Sequence, residues 1–205
     1  MPLLLESGFT YTTTPIQRYK NMAEFDFHEM LLQRHSIRRY TEQPIPADDV
    51  KTIVEAALLA PTSKSARPWQ FVVIDDRDAL VALSKCKPAG AHPVAGAAFA
   101  VVVAADPERS ECFVEDMSIA AVFMQLQAEA LGIGSCWIQV RGRFDANDEP
   151  SEDVVRDIIG FPPHLVVECI VTFGYKNETR RPVDPAKLMW EKVHINTWKA
   201  SAEGE

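Results

Sequence analysis

Two short segments, RHSIRRY at residues 34–40 and APTSKSARPWQF at residues 60–71, decide how this chain folds and what it binds. The first, called here the arginine segment, gathers guanidinium and hydroxyl donors within one turn, a combination that suits a phosphate group. The second contains the proline loop, residues 61–68, whose small hydroxyl residues between prolines suit a flat polar ring lying against backbone. One amphipathic helix is predicted between them. The pair therefore predicts binding of a nucleotide-like cofactor.

Hydrophobic periodicity along the chain predicts alternating helices and strands. Helices are predicted at 23–33, 46–60, 77–85, 114–131 and 151–160, and strands at 71–74, 97–105, 135–140 and 165–173. Pro46 is suited to open the second helix, and Ser151 is predicted to cap the last. Gly132 is expected to end the long helix in a left-handed conformation. The last strand alternates little, so we expect it to be buried on both faces.

Composition indicates one domain with its own core. The chain has 205 residues, of which 47% are hydrophobic and 24% charged. Residues 1–22 are predicted to be an arm or leader, and 23–205 a single domain that ends in an aromatic arm around Trp190 and Trp198. A net charge of -8 argues against nucleic acid or an anionic membrane as a partner. No stretch approaches the roughly 20 apolar residues that a membrane-spanning helix needs.

The cysteines and histidines give no sign of a metal site. Cys86, Cys112, Cys136 and Cys169 form no CxxC pair and show no zinc spacing. Two of them lie in apolar runs, as free core thiols do. We therefore expect no metal, no structural disulfide and a cytoplasmic location.

The arginine segment resembles the R-x-S-x-R segment that ends the first helix in the FMN-dependent nitroreductase family. The proline loop resembles that family's P-[ST]-x-x-N-x-Q-P-W pattern, although Ser65 stands where Asn is usual and Arg67 where Gln is usual. The sequence GIGSCWIQ at residues 132–139 resembles the family segment whose main-chain N–H points at the reactive flavin nitrogen. The order of these segments is more specific than any one of them, because each also has an ordinary interpretation as a solvated turn or helix cap.

The resemblance implies a set of cofactor-binding residues. It assigns the phosphate to the arginine segment and a C-terminal basic residue, and the ring to the proline loop and residues 137–139. The assigned residues are Arg34, His35, Ser36 and Arg38; Pro61, Thr62, Ser63, Lys64 and Ser65; Trp137, Ile138 and Gln139; and Arg180 and Arg181. The sequence identifies no catalytic side chain.

The fold implied by the resemblance is α+β and nitroreductase-like, with a central mixed β-sheet flanked by helices in an intertwined homodimer. The implied activity is an FMN oxidoreductase that takes electrons from NADH or NADPH and passes them to a nitroaromatic, a quinone or a related small molecule by a ping-pong mechanism. Two alternatives stay open: another flavin reaction on the same fold, such as dehydrogenation of a small molecule or flavin turnover, and a flavin-binding protein with little turnover.

Overall fold

The computed structural model of the chain describes residues 25–198, so the predicted arm at residues 1–22 lies outside the described residues. Five α-helices and four β-strands follow the predicted order. The helices are α1 (Phe27–Gln33), α2 (Ala47–Leu58), α3 (Arg77–Leu83), α4 (Phe113–Ala130) and α5 (Ser151–Ile159). The strands are β1 (Trp69–Ile74), β2 (Phe99–Ala105), β3 (Ile133–Gln139) and β4 (Val166–Tyr175).

A side-chain cap sets the start of α1 but not that of α5. Helix α1 begins at Phe27 and not at residue 23, because the Asp26 carboxylate accepts the main-chain N–H groups of His28 and Glu29 at 2.8 and 3.1 Å. The prediction that Ser151 caps α5 is wrong, since Pro150 occupies the cap position. The Ser151 hydroxyl instead donates a 2.6 Å hydrogen bond to the Cys86 carbonyl, which ties α5 to the loop after α3.

Glycines end two helices as expected, in left-handed conformations that residues with a Cβ rarely adopt. Gly132 follows α4 with φ of 75°, and Gly160 follows α5 with φ of 72°. The predicted loop before β2 is shorter than expected, because residues His92–Gly96 form a 3-10 turn.

The sheet has the strand order β1-β2-β4-β3, and each strand is antiparallel to its neighbours. A parallel pairing is added at the outer side of β3, where Ser36 forms an isolated bridge with Ser135. The outer strands are β1 and β3, and the two central strands are buried. Strand β4 is buried on both faces along most of its length, as its lack of alternation predicted.

Two apolar layers enclose the sheet. One core cluster joins α2 and α4 to one sheet face and includes Ile53, Met117 and Phe173. The other joins α3 and α5 to the opposite face and includes Leu80, Val155 and Ile170. In residues 25–198, no helix is long and apolar enough to cross a membrane.

Candidate cofactor site

The arginine segment lies along the outer side of β3. The Ile37 main-chain N–H donates a 2.9 Å hydrogen bond to the Ser135 carbonyl, next to the parallel bridge of Ser36. The Ile37 side chain is buried and packs so closely on Gly134 that an added Cβ there would lie 2.9 Å from the Ile37 Cβ. Because side chains of extended backbone alternate, Ser36 and the exposed Arg38 are directed away from the face that Ile37 buries.

Tyr40 fixes the end of the arginine segment on the sheet. Its hydroxyl donates a 2.6 Å hydrogen bond to the Ile37 carbonyl and lies 2.7 Å from the Thr172 Oγ1. Its ring rests on Gly174, where an added Cβ would lie 2.6–2.7 Å from two ring carbons and the Cβ of Tyr40. Burial raises the pKa of Tyr40 well above its usual range, so the hydroxyl stays protonated as a donor.

The chain after β4 returns beside the arginine segment. The Asn177 main-chain N–H donates to the Arg39 carbonyl at 3.0 Å, and the Val183 N–H donates to the Leu32 carbonyl at 2.8 Å. The exposed Arg180 and Arg181 lie between these two contacts and therefore close to residues 34–38. The structure thus brings the predicted C-terminal basic residues to the predicted phosphate-binding segment.

Glu178 links Arg38 and Arg180. One of its carboxylate oxygens accepts the Arg38 main-chain N–H at 2.5 Å, and the other accepts from the Arg180 guanidinium at 2.9 Å. The hydrogen bond from the Arg38 main chain is the largest cause that lowers the pKa of Glu178. Glu178 was missed by the sequence interpretation, because nothing in its local sequence announces a partner 140 residues away.

The outer edge of β3 continues from the arginine segment toward Gln139. The Ser135 carbonyl points outward to Ile37, and successive strand residues alternate in direction, so the main-chain groups of Trp137 and Gln139 also point outward. The Lys87 ammonium supports this orientation, since it donates a 2.8 Å hydrogen bond to the Gln139 carbonyl. The Gln139 N–H therefore faces away from the sheet, as the predicted contact with a ring requires.

Lys87 is a second residue that sequence interpretation missed. It follows α3 and is 52 residues from Gln139, so only the fold brings them together. Partial burial lowers the pKa of Lys87 relative to a solvated lysine. A partly desolvated ammonium at this edge supplies positive charge where an electron-rich ring would lie.

Ile138 is the predicted site residue that the structure directs elsewhere. Its side chain is buried in the core between the sheet and α5. Its main-chain groups face Ile170 of β4, with which it is paired. Of the three predicted residues of this segment, Trp137 and Gln139 present main-chain groups at the outer edge, and Ile138 does not.

The proline loop has an unusual backbone. Lys64, Ser65 and Arg67 adopt positive φ angles of 50°, 55° and 47°, although none is glycine. Non-glycine residues seldom adopt such angles, and they occur preferentially at functional sites. Hydrogen bonds within the loop hold the conformation: Thr62 accepts from the Ser65 N–H at 3.2 Å through its carbonyl and from the Arg67 N–H at 3.1 Å through its hydroxyl.

A buried carboxylate joins the proline loop to α4. Asp116, 2% exposed, accepts the Ser63 main-chain N–H at 2.8 Å and the Ser110 hydroxyl at 2.8 Å. Lys64 by contrast extends into solvent and forms a 3.0 Å ion pair with the exposed Glu111, a kind of contact that contributes little to stability. The loop is thus anchored through Ser63, while Lys64 and Ser65 stay exposed.

The two predicted parts of the site lie at opposite edges of the sheet. Trp69, which follows the proline loop, pairs with Ala105 at one end of outer strand β1, whereas Ser135 pairs with Phe173 near the other end of outer strand β3. From ordinary strand spacing and rise, these two positions are about 25 Å apart. Gln139, the predicted ring contact, lies nearer the Trp69 end, because it is level with Phe71 across the sheet. Strands β2 and β4 still separate the two outer strands by about 14 Å, so within one chain the proline loop and the β3 edge do not contact the same ring.

Two buried nitrogens lie in the two predicted parts. Within residues 25–198, the His35 Nε2 and the Trp69 Nε1 are the buried side-chain polar atoms without a hydrogen-bond partner. Buried polar groups are rarely left unpaired, so each of these nitrogens has room for a hydrogen bond to water or to a further group. His35 belongs to the arginine segment, and Trp69 directly follows the proline loop.

Known proteins are similar in sequence to this chain over most of its length. The model of the nitroreductase family matches residues 31–89 and 83–175. A protein of Archaeoglobus fulgidus described as an NADH dehydrogenase or NAD(P)H nitroreductase is 35% identical over 175 residues, covering 83% of this chain and 97% of that protein.

Solved structures have the same fold. An FMN-dependent nitroreductase from Clostridium difficile is 40% identical, with a TM-score of 0.81 over 83% of this chain and 99% of that one. The NADPH:FMN oxidoreductase of Vibrio harveyi, 22% identical with a TM-score of 0.71 over 85% of this chain and 79% of that one, shares the fold. The predicted nitroreductase-like fold is confirmed, and the chain belongs to the nitroreductase family.

Proposed function

We propose that the protein is an FMN-dependent oxidoreductase that uses NADH or NADPH to reduce a nitroaromatic, a quinone or a related small molecule. The observation that carries this proposal is the outer edge of β3, where the arginine segment lies beside Ser135 and the main-chain N–H of Gln139 faces outward. The name of the Archaeoglobus fulgidus relative includes NAD(P)H, and the name of the Clostridium difficile protein includes FMN. The proposal treats residues 23–205 as one FMN-binding domain.

The residues present fit FMN. Arg34, Ser36 and Arg38 supply the charged and hydroxyl donors that a phosphate prefers, and Arg180 or Arg181 adds a further cation from the returning chain. In this proposal, the Gln139 N–H and the Lys87 ammonium would meet the polar edge of the ring. The unpaired His35 nitrogen fits the same interpretation, because a bound anion next to the arginine segment would give it a partner.

A second copy of the chain would complete the site. The proline loop presents Pro61, Thr62, Ser63, Lys64 and Ser65 at one corner, about 25 Å from the edge that would hold the phosphate. A two-fold axis would place the proline loop of one copy against the β3 edge of the other, giving two equivalent sites. We therefore propose a homodimer in which each flavin contacts both chains.

Exposed apolar residues fit this dimer. A groove of about 440 Å³ between α1, α2 and α4 is lined by Phe25, Phe27, Leu59 and Phe123 among others. All four of these side chains are exposed, and Leu59 is 78% exposed. A contiguous apolar patch of this kind often marks an interaction surface. The exposed C-terminal segment from Val183 to Trp198 adds more apolar surface and suits an arm that wraps the partner.

When bound, FMN supplies the redox chemistry, accepting hydride from the nicotinamide and passing electrons to the acceptor. The residues of the chain bind and orient the reactants. The arginine segment would neutralise the phosphate, and the Gln139 N–H would orient the ring. Positive charge from Lys87 would favour the extra electron density of the reduced ring. The acceptor is thus a small molecule able to lie flat over a ring between two subunits.

The cysteines agree with a cytoplasmic location, which we include in the proposal. All four, Cys86, Cys112, Cys136 and Cys169, carry free thiols. Burial raises the pKa of Cys86, Cys136 and Cys169, which keeps these thiols protonated and unreactive. Free thiols are usual in a reducing compartment.

An absorption spectrum of the purified protein tests the proposal, recorded before and after anaerobic addition of NADH and then NADPH. A bound flavin spectrum that bleaches with either nucleotide and returns on addition of a quinone is the expected result. A flavin spectrum that resists both nucleotides would move the function to another flavin reaction. A colourless protein that does not bind added FMN would refute the proposal.

A further inference from the structure

Strand β4 contains one extra residue where it faces β2. Val103 pairs with Cys169 and the next residue, Ala104, pairs with Val167, so Glu168 has no counterpart in β2. Bulges of this kind redirect a side chain and occur preferentially next to functional sites. The redirected side chain here is a carboxylate, and it is only 4% exposed.

The buried carboxylate of Glu168 is directed to the end of β3. Its Oε2 accepts from the Arg141 Nε at 2.6 Å, and its Oε1 accepts from the Gln139 side-chain amide at 3.3 Å. The Glu168 main-chain carbonyl accepts two further N–H groups, from Val140 at 3.1 Å and from Arg141 at 3.0 Å. Glu168 thus contacts each residue from Gln139 to Arg141.

Gln139 is held from every side except its main-chain N–H. Its side-chain amide also donates to the Arg141 carbonyl at 3.0 Å, and its side-chain oxygen accepts from the Trp137 Nε1 at 2.9 Å. The Lys87 ammonium holds its main-chain carbonyl at 2.8 Å. The remaining polar group, the N–H, faces outward from the edge of the sheet.

A buried charged residue in the middle of a sheet is a costly way to gain stability. Well-packed apolar residues usually stabilise such positions equally well or better. The Glu168 carboxylate therefore calls for a role other than packing. Its side chain contacts Arg141 and Gln139, and Gln139 is the residue with the outward N–H.

We propose that Glu168 is a positioning residue, which acts through Gln139 to hold the main-chain N–H of Gln139 against the flavin ring. This inference rests on the proposed function. It assigns a role in cofactor geometry to a residue that contacts no cofactor itself. The bulge at Glu168 is then the device that aims the carboxylate at the end of β3.

Two substitutions separate geometry from charge. Glu168→Ala removes both side-chain hydrogen bonds, whereas Glu168→Gln keeps an oxygen that accepts from the Gln139 amide but removes the negative charge. Glu129→Gln is a matched control, because Glu129 is also a buried carboxylate, 8% exposed, with a 2.6 Å ion pair to Lys176. Lys176 follows the end of β4 that pairs with the start of β3, about 20 Å from Gln139 by strand rise.

The first measurement is amide hydrogen exchange in the FMN-free proteins. We expect Glu168→Ala to exchange the amides of Val140 and Arg141, which donate to the Glu168 carbonyl, at least tenfold faster than the wild type. Glu168→Gln should stay within about threefold of the wild type, and Glu129→Gln should leave these amides unchanged. Unchanged exchange in Glu168→Ala would overturn the inference, because Glu168 would then not hold this segment.

The second measurement compares dissociation constants for oxidised and reduced FMN, since their ratio reports contacts to the ring and is not moved by a loss of stability alone. We expect Glu168→Ala to change the ratio at least tenfold, equivalent to about 30 mV for a two-electron couple. Glu168→Gln should recover most of the wild-type ratio, and Glu129→Gln should keep it. A wild-type ratio in Glu168→Ala would overturn the inference alone, whereas a wild-type protein that binds no FMN would overturn the proposed function together with it.

Discussion

Substitution of Gly174 by Ala should release the arginine segment from the sheet. A Cβ at this position would lie 2.6–2.7 Å from atoms of Tyr40, where ordinary contacts begin at 3.4 Å. The Tyr40 ring would have to move by about 0.7 Å or more, a form of overpacking that usually costs about 1–3 kcal/mol. Its hydroxyl, which is bonded to the Ile37 carbonyl and Thr172, would lose part of its hydrogen bonding at a cost of about 1 kcal/mol.

The tyrosine has little freedom to avoid this clash. Tyr40 forms a bridge with Lys176, and the next residue, Thr41, donates a 2.9 Å hydrogen bond to the Tyr175 carbonyl. We therefore expect Gly174→Ala to lower the free energy of unfolding by about 2–4 kcal/mol relative to a neutral glycine substitution. Gly96→Ala is that control, because an added Cβ at Gly96 meets nothing within 4 Å.

Urea unfolding followed by circular dichroism measures the difference between the two variants, and FMN titration measures its effect on the site. Gly174→Ala should weaken FMN binding at least tenfold, because residues 34–38 would no longer be fixed beside β3. The penalty should largely disappear in a Tyr40→Ala background, where the clashing ring is absent. A difference from Gly96→Ala of under about 0.5 kcal/mol would refute the view that the tyrosine is fixed on the glycine.

Three further predictions concern the site. Arg38→Ala should weaken FMN binding by about 1.5–3 kcal/mol, the range for hydrogen bonds to a charged group, whereas Arg39→Ala should not weaken it. Equal FMN dissociation constants for the two variants, measured by fluorescence titration, would remove Arg38 from the site. Ser65→Asn should be tolerated or stabilise the fold by a few tenths of a kcal/mol, because Asn adopts the positive φ of this position more readily than Ser. A lower urea midpoint for unfolding of this variant would contradict the prediction. Because the folded pKa of Glu178 is depressed, its contribution to stability is complete above its ordinary value of 4.5 and is lost as the pH falls below it. The difference in stability between the wild type and Glu178→Gln should therefore shrink on acidification below that pH, and a difference that stays constant would show that the carboxylate is not stabilised by Arg38.

The regular elements were predictable because their signals are local. Apolar spacing located α2 and α4, and the lack of alternation in the last strand predicted that β4 is buried on both faces. The errors arose where a long-range contact decided the outcome. Ser151 has the chemistry of a cap, but its hydroxyl bonds to Cys86, 65 residues away, and Pro150 takes the cap position.

The features of the candidate site that are local in sequence were predictable, and those that depend on the fold were not. Residue types in the arginine segment and proline loop predicted two cofactor-binding parts, because donors of suitable chemistry are adjacent in the chain. Their opposite placement on the sheet was not predictable, since it depends on strand order. Glu168, Glu178 and Lys87 escaped notice because each has its role only through residues that the fold brings beside it.

The distance between the proline loop and the β3 edge has a thermodynamic consequence. If one flavin needs both parts, from two chains, cofactor binding and subunit association are linked by one coupling free energy. Each must then strengthen the other by the same factor. Flavin affinity would then fall on dilution of the protein, and added FMN would raise the midpoint temperature of unfolding of the dimer beyond its effect on a lone chain. The cofactor would serve as a structural tie between subunits as well as a carrier of electrons, so a cell short of flavin would lose the assembly along with the activity.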